Sequence, residues 1–203
     1  MSLLCVQQQL VTLITCSADV LPKAEKLELS AQEETWLENL RCSQGLKVSQ
    51  DIAQWWRRSR LHTALPLTMR YLRKTNSDQY VEDYTRHHPC TTLFFAQEAK
   101  QFYDYLAQSE DLRLDPLLRL AEFEVALRDV KLLRNQNNPT DRYYRIGFPC
   151  NPYELIQNLL GNEPITLEDK RHYIVTVSTT VKDLWECEIS ESISPSVTPK
   201  FLI

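Results

Sequence analysis

Up to about residue 133, the spacing of hydrophobic residues along the chain is that of amphipathic α-helices. Phe95, Ala99, Phe102 and Leu106 recur at intervals of three or four residues, which places them on one face of a helix. This pattern predicts a helix from Leu93 to Gln108. The Asp115-Pro116 pair, an N-cap followed by proline, predicts the start of another long helix.

Further helix starts are indicated by capping residues and proline. The predicted starts are the capping box from Ser30 to Glu33, the stretch from Ser49 to Asp51, Pro66, and the Ser77-Asp78 pair before a helix ending ahead of Pro89. Only three glycines occur in the chain, and Gly45 and Gly161 stand where helical patterns stop. A mostly helical protein is therefore expected over this region.

After Leu133 the pattern changes from helical to strand-like. A polar linker from Arg134 to Pro139 is followed by segments rich in aromatic and β-branched residues. The predicted elements are strands from Asp141 to Phe148, Tyr173 to Val177 and Val181 to Ser190, a helix from Asn151-Pro152 to Gly161, and an extended tail from Ser194 to Pro199. The expected fold class is α+β, with a helical domain over residues 1–135 and a small β-sheet unit with one short helix over residues 140–203.

The last predicted strand alternates in polarity. Val181, Asp183, Trp185, Cys187 and Ile189 share one face, and Lys182, Glu186, Glu188 and Ser190 share the other. So small a sheet has exposed edges, and an edge with unpaired N–H and C=O groups can accept a peptide as an added strand. The alternative is that a helix or the tail of this chain covers the edge.

Composition and charge bound the function. The 203 residues carry a net charge of −4, so the chain as a whole does not attract nucleic acid or anionic membranes. No 18-residue apolar run occurs, and the stretch from Leu3 to Cys16 has no basic flank, which indicates a cytoplasmic protein. Six scattered cysteines favour free thiols in a reducing compartment.

One basic run has a composition compatible with binding. Arg57, Arg58 and Arg60 follow Trp55 and Trp56, and cations beside aromatic rings occur in nucleic-acid sites. The favoured interpretation is that the tryptophans lie in the core and the arginines form a solvated surface. Contact with a partner protein and binding of nucleic acid are the alternatives.

Candidate metal and catalytic residues are few. His87, His88 and Cys90 are the best local metal cluster, but adjacent helical residues diverge, so a helix end is the favoured interpretation. No zinc-protease, nucleophile-elbow, Walker or dinucleotide motif occurs in the sequence. Glu124, near the apolar face of its helix, is expected to pair with Arg70, Arg73 or Arg128. The expectation is therefore no catalytic residue and no metal site in this chain.

A resemblance to a known family rests on diffuse motifs over roughly residues 50 to 190. The motifs are Arg60, Pro66 and Leu72 at six-residue intervals, Val81-x-x-Tyr84 before Pro89, Phe102-x-x-x-Leu106, Leu117-x-x-Leu120-Ala121-x-x-Glu124-x-Ala126-Leu127, Phe148-Pro149, and the last two strands. In these the chain resembles the accessory proteins HvfC and BufC and, more distantly, the methanobactin biosynthesis partner MbnC. Its end soon after the strands is more similar to the MbnC type.

The resemblance implies a non-catalytic subunit. Such proteins pair with an iron-binding barrel enzyme that uses dioxygen to convert cysteines of a ribosomally made peptide into oxazolone and thioamide groups. This chain is then expected to bind the peptide's leader, with no cofactor of its own and the iron in the partner. The predicted peptide-binding residues are Tyr173, Ile174, Val175, Thr176, Val177, Val181 and Trp185, and the predicted partner-binding residues are Arg57, Arg58 and Arg60. An HvfC- or BufC-type partner for another peptide and a DNA-binding regulator are the alternatives.

Overall fold

Helices make up most of the described residues, and all but one of them precede a small sheet along the chain. The computed structural model describes residues 7, 10–14, 30–88, 94–135, 141–161, 164–165 and 171–190. The helices are α1 (Ala31–Arg41), α2 (Gln44–Ala64), α3 (Pro66–Lys74), α4 (Gln79–His87), α5 (Phe95–Leu106), α6 (Pro116–Arg134) and α7 (Pro152–Leu160), with a 3₁₀ turn at Glu110–Leu112. Together with the antiparallel sheet, they confirm the predicted α+β class. The predicted extended tail lies outside the described residues.

Most helices begin where the capping signals predict. The Ser30 side chain accepts a hydrogen bond from the Glu33 N–H, while the Glu33 carboxylate accepts one from the Ser30 N–H. Asp115 caps α6 by accepting from the Leu117 N–H at 2.7 Å. These bonds satisfy N–H groups that the first helical turn leaves without partners, which is why such starts are visible in a sequence.

Helix α2 begins earlier than predicted. Its cap is Ser43, whose side chain accepts from the N–H of buried Leu46, so Ser49 lies inside the helix. Gly45 consequently lies in the first turn instead of after a helix end, and that part of the prediction is wrong. Glycine costs about 1 kcal/mol relative to alanine in a helix, a cost that burial of Leu46 exceeds.

The sheet contains three antiparallel strands in the order β1 (Tyr143–Phe148), β2 (Tyr173–Ser178), β3 (Trp185–Ile189). Helix α7 connects β1 to the segment before β2. The first two strands confirm the predicted ones. The third is shorter than predicted, because residues 181–184 form the turn that joins it to β2.

One hydrophobic cluster includes side chains from both the helices and the sheet. Phe102 of α5, Phe123 and Val130 of α6, and Ile146 and Val175 of the sheet are all buried within it. Asp129 of α6 adds polar contacts to β1: it accepts from the Tyr144 hydroxyl and, at 2.7 Å, from Arg142. Burial and this hydrogen bond raise the pKa of Tyr144 to about 12. The sheet is therefore packed on α6, and the division into two domains stays a prediction.

Glu124 has a different role from the one predicted. Its carboxylate accepts hydrogen bonds from the N–H groups of Leu67 and Thr68, both at 2.8 Å, at the start of α3. Arg128, one turn further along α6, donates to the carbonyls of Thr63 and Ala64 at the end of α2. Among the described residues Glu124 forms no ion pair with an arginine, so that prediction is wrong. A carboxylate suits this place because helix N-termini attract negative charge.

Candidate functional site

The outer edge of β3 exposes backbone groups that can accept another strand. Pairing of Val175 with Cys187, together with the bonds Ser190 N–H to His172 and Ser178 N–H to Leu184, fixes the register. In an antiparallel ladder only every second residue bonds to a given neighbour. The backbone N–H and C=O groups of Trp185, Cys187 and Ile189 therefore point away from β2. No residue in the described ranges pairs with them.

Apolar side chains line the inner face of this edge. The Trp185 ring lies 4.7 Å from that of Tyr153 in α7 and 5.3 Å from that of Phe123 in α6, measured between centroids. Trp185 and Cys187 are half-buried, and Ile189 and Tyr153 are each about half exposed. These side chains leave apolar surface that a further strand would cover.

The opposite face of β3 is acidic and exposed. Glu186 and Glu188 both lie in solvent, and Arg145 of β1 pairs with Glu188 at 3.0 Å. Burial and the neighbouring Glu188 raise the pKa of the Cys187 thiol, which is therefore protonated at neutral pH. The edge thus offers two chemistries, apolar on one side and anionic on the other.

The start of β3 is held against α6 by a tight turn. Arg134 donates to the carbonyl of Lys182 at 3.0 Å, and the Leu184 N–H donates to Val181 at 3.1 Å. Leu184 has a φ of 69°, a left-handed conformation that is costly for a residue with a Cβ. This turn fixes where the strand begins, and so it also fixes which backbone groups of β3 face away from β2.

The predicted peptide-binding residues occupy different places in the sheet. Tyr173, Ile174, Val175, Thr176 and Val177 form β2, which is paired with β1 on one side and β3 on the other. Because both sides of β2 are occupied, it cannot accept an added strand, and binding of the peptide by these five residues stays a prediction. Val181 belongs to the turn before β3, and Trp185 alone of the seven lies on the outer strand. The sequence does not predict the contribution of Tyr153, because only the folding of α7 beside β3 brings this ring next to Trp185.

The basic run on α2 has the reverse of the expected orientation. Arg57 is 1% exposed and Arg60 is buried, whereas Trp55 and Trp56 are each more than half exposed. The interpretation of tryptophans in the core and arginines at the surface is therefore wrong for these four residues. Arg58 is half-exposed, so the run does not form a cationic surface of the kind that phosphate contacts need.

A buried carboxylate explains this orientation. Arg57 donates through Nε and Nη2 to Glu98 Oε1 at 3.1 and 3.0 Å, and Arg60 Nη2 lies 3.4 Å from Glu98 Oε2. Arg57 also donates to the Thr85 carbonyl at 2.9 Å and covers the Tyr84 ring. Burial, with Glu98 nearby, raises the pKa of Tyr84. Arg57 and Arg60 therefore link α2 to α4 and α5. Partner binding by the basic run stays a prediction, and Arg58 fits it best because its side chain is partly exposed.

The two histidines at the end of α4 have separate surroundings. His87 Nδ1 lies 3.0 Å from the Asp83 carbonyl oxygen, while the His88 ring packs against the rings of Tyr84 and Tyr105. Burial and then the nearby Arg57 lower the pKa of His88, which favours the neutral ring. The helix end is as predicted, although His88 is packed instead of fully solvated. Cys90 lies outside the described residues.

A cavity of about 280 Å³ is lined by Tyr80, His88, Tyr105, Leu106, Gln108 and Ser109. Within the described ranges, no group of three or more His, Cys, Asp or Glu side chains could hold a metal ion. Of the described cysteines, Cys42, Cys150 and Cys187 form no disulfide. The described helices include none with both the length and the apolarity needed to cross a membrane.

Comparison with known proteins adds no family assignment. No protein-family model matches the chain, and no curated protein matches it. The resemblance to HvfC, BufC and MbnC accordingly stays a prediction.

Proposed function

We propose that this chain is a peptide-binding accessory subunit. It holds an extended segment of a ribosomally made precursor peptide as an additional strand along the outer edge of β3. A separate iron-dependent barrel enzyme modifies the cysteines of that peptide with dioxygen, as the resemblance implies. The observation that carries the proposal is the register of β3, which directs the backbone of Trp185, Cys187 and Ile189 outward beside half-exposed apolar side chains.

The edge of β3 suits an added strand better than the edge of β1. On β1 the inner-face side chains Ile146 and Phe148 are each 1% exposed, so α6 and the core already cover them. On β3 the inner-face residues Trp185, Cys187 and Ile189 are only partly covered. A strand added to β3 therefore gains both main-chain hydrogen bonds and apolar burial, whereas one added to β1 gains mainly the former.

The two faces of β3 indicate the composition of the peptide. Successive side chains of an added strand point to opposite faces of the sheet. Every second side chain would lie next to Trp185 and Tyr153, and the others next to Glu186 and Glu188. A segment that alternates apolar residues with lysine or arginine fits this edge best.

The division of labour between two chains follows from the same arrangement. An added strand is held by its main chain and leaves the remainder of the peptide outside the sheet. The cysteines to be modified can therefore reach a neighbouring enzyme while the leader stays bound. In this scheme the oxazolone and thioamide chemistry belongs to the barrel enzyme, and this chain supplies affinity and position.

A genomic observation and a binding experiment test the proposal together. We expect the neighbouring reading frames to encode an iron-binding barrel and a short cysteine-containing peptide; their absence contradicts the proposal. With that peptide as probe, Ile189→Pro removes an outward N–H and should weaken binding by at least about tenfold. The matched variant Ile189→Ala keeps the N–H and should bind within a few-fold of the unsubstituted chain. Equal binding by the two variants, or peptide modification by this chain alone, would overturn the proposal.

A further inference from the structure

An apolar stripe runs along the solvent side of α2. Val48, Ile52, Trp55 and Trp56 are each at least half exposed, with Trp55 at 60%. The core side of the same helix carries Leu46, Arg57 and Leu61, which are buried. Since successive residues are about 100° apart around a helix, the stripe lies opposite the core. Contiguous apolar surface of this kind on one helix marks an interaction site.

The stripe has the spacing of a helix-pairing seam. Val48, Ile52, Trp55, Ser59 and His62 follow one another at intervals of four, three, four and three residues. Alternating intervals of three and four keep side chains on one line when two helices pack at a shallow angle. The seam extends over most of the 21 residues of α2. It therefore fits another helix, which lies along it, better than it fits a sheet or a loop.

We propose that the seam pairs with the same seam of a second copy of this chain, with the two α2 helices antiparallel about a two-fold axis. In this register Ile52 lies beside Trp55 of the second copy, and Val48 lies beside Ser59 of that copy. In a two-fold interface the same surface lies on both sides and each contact occurs twice, so the pattern of side chains must be complementary to itself. Trp56 flanks the seam and adds apolar area on one side.

Charge complementarity favours a second copy over an unrelated helix. Asp51 and Arg58 flank the other side of the seam, seven residues apart on one face. The antiparallel register brings Asp51 opposite Arg58 of the second copy, and the reverse pair follows by symmetry. Among the described residues the one ion pair of Arg58 is an exposed contact with Glu82 at 3.8 Å, and pairs of this kind contribute little. The guanidinium of Arg58 can therefore turn toward the second copy at small cost.

This inference goes beyond the proposed function, because it uses α2 and not the sheet. Its test uses this chain alone, without peptide or barrel enzyme, so the two can fail independently. Sedimentation velocity over a range of concentrations should show a monomer–dimer equilibrium. A chain that stays monomeric throughout contradicts the inference, whether the stripe is covered by another part of the chain or by a different protein.

Matched variants identify the surface. Ile52→Glu should weaken the dimer by at least about tenfold. Leu132→Glu, at a comparably exposed apolar position of α6, should leave it unchanged. Both sites are at the surface, and far-UV circular dichroism should confirm that both variants fold. Equal effects of the two substitutions would overturn the inference.

Charge exchange tests the antiparallel register. Asp51→Arg and Arg58→Asp should each weaken the dimer, because each brings like charges together across the axis. The double variant carrying both exchanges should recover most of the lost affinity. A double variant as weak as the sum of the single ones would contradict the pairing of Asp51 with Arg58.

Discussion

The buried carboxylate of Glu124 accepts two hydrogen bonds from Thr68, from its N–H at 2.8 Å and from its hydroxyl at 2.7 Å. Burial nevertheless raises the pKa of Glu124 to about 7, because these bonds and Arg128 offset the loss of hydration only in part. The sequence separation of 56 residues makes this contact a direct link between α6 and α3. The titration of the Glu124 carboxyl is therefore coupled to folding.

The stability of the protein should depend on pH through Glu124. In the folded state this group binds its proton more tightly than in the unfolded state. Its contribution is then fully present below about pH 4.5 and is lost as the pH rises toward about 7. Over that range the unfolding free energy of the protein, relative to that of Glu124→Gln, should fall by up to about 3 kcal/mol. Urea denaturation of both proteins at several pH values measures this difference. A difference that is constant or increases with pH would contradict the raised pKa.

The buried pair of Arg57 and Glu98 should contribute far more to stability than an exposed pair. Glu98→Gln removes the charge that balances two buried guanidinium groups and should cost about 3 kcal/mol or more. The matched change Glu188→Gln breaks the exposed pair with Arg145, more than half of which is in solvent, and should cost less than about 1 kcal/mol. Thermal and urea unfolding measure the loss of stability in both variants. Similar losses for the two variants would mean that Glu98 does not balance the arginines.

Proline substitutions should separate the central strand from the edge strand. Val175 bonds within the ladder between β1 and β2, so Val175→Pro should destabilise the sheet strongly and lower the melting temperature. Ile189→Pro removes an N–H that points away from β2, and the folded state should tolerate it. Circular dichroism melting curves distinguish the two. A chain that folds equally well with proline at 175 would contradict the strand order.

Charge reversal on the open face of β3 should select against a basic peptide. Glu186→Lys with Glu188→Lys should weaken binding of a peptide carrying lysine or arginine at alternate positions, and more so at low salt. Glu110→Lys, an exposed reversal in the 3₁₀ turn, serves as the control and should change binding little. Fluorescence anisotropy with a labelled peptide measures the affinity of the unsubstituted chain, of the doubly reversed variant and of the control. Equal affinity in the reversed and control proteins would exclude an electrostatic contribution from this face.

Local signals could be predicted from the sequence, whereas contacts between distant residues could not. The capping box at Ser30 and the N-caps at Asp115 and Asn151 each involve residues two or three apart, so sequence spacing alone reveals them. The inward orientation of Arg57 depends on Glu98, which is 41 residues away. Without that carboxylate an arginine belongs at the surface and a tryptophan in the core, which is why the sequence pattern favours the wrong orientation for the basic run.

At the candidate site, too, the local pattern could be predicted from the sequence, whereas the arrangement of distant segments could not. The alternation of Trp185 and Cys187 with Glu186 and Glu188 predicted a strand with one apolar and one polar face, and the structure confirms this for those residues. The alternation of apolar and polar residues does not predict the order of strands in the sheet, because a central strand and an edge strand can have similar patterns. The most apolar segment, Tyr173 to Val177, is the central strand: it is paired along both sides, with one face buried and the other partly buried.

Amide hydrogen exchange at single-residue resolution tests the central claim most directly. Without peptide, the Glu186 and Glu188 amides should be protected by their bonds to β2, while the Trp185, Cys187 and Ile189 amides should exchange quickly. Addition of the precursor peptide should slow the latter three by at least about tenfold and leave the former two nearly unchanged. Unchanged exchange at Trp185, Cys187 and Ile189 in the presence of saturating peptide would contradict strand addition at this edge.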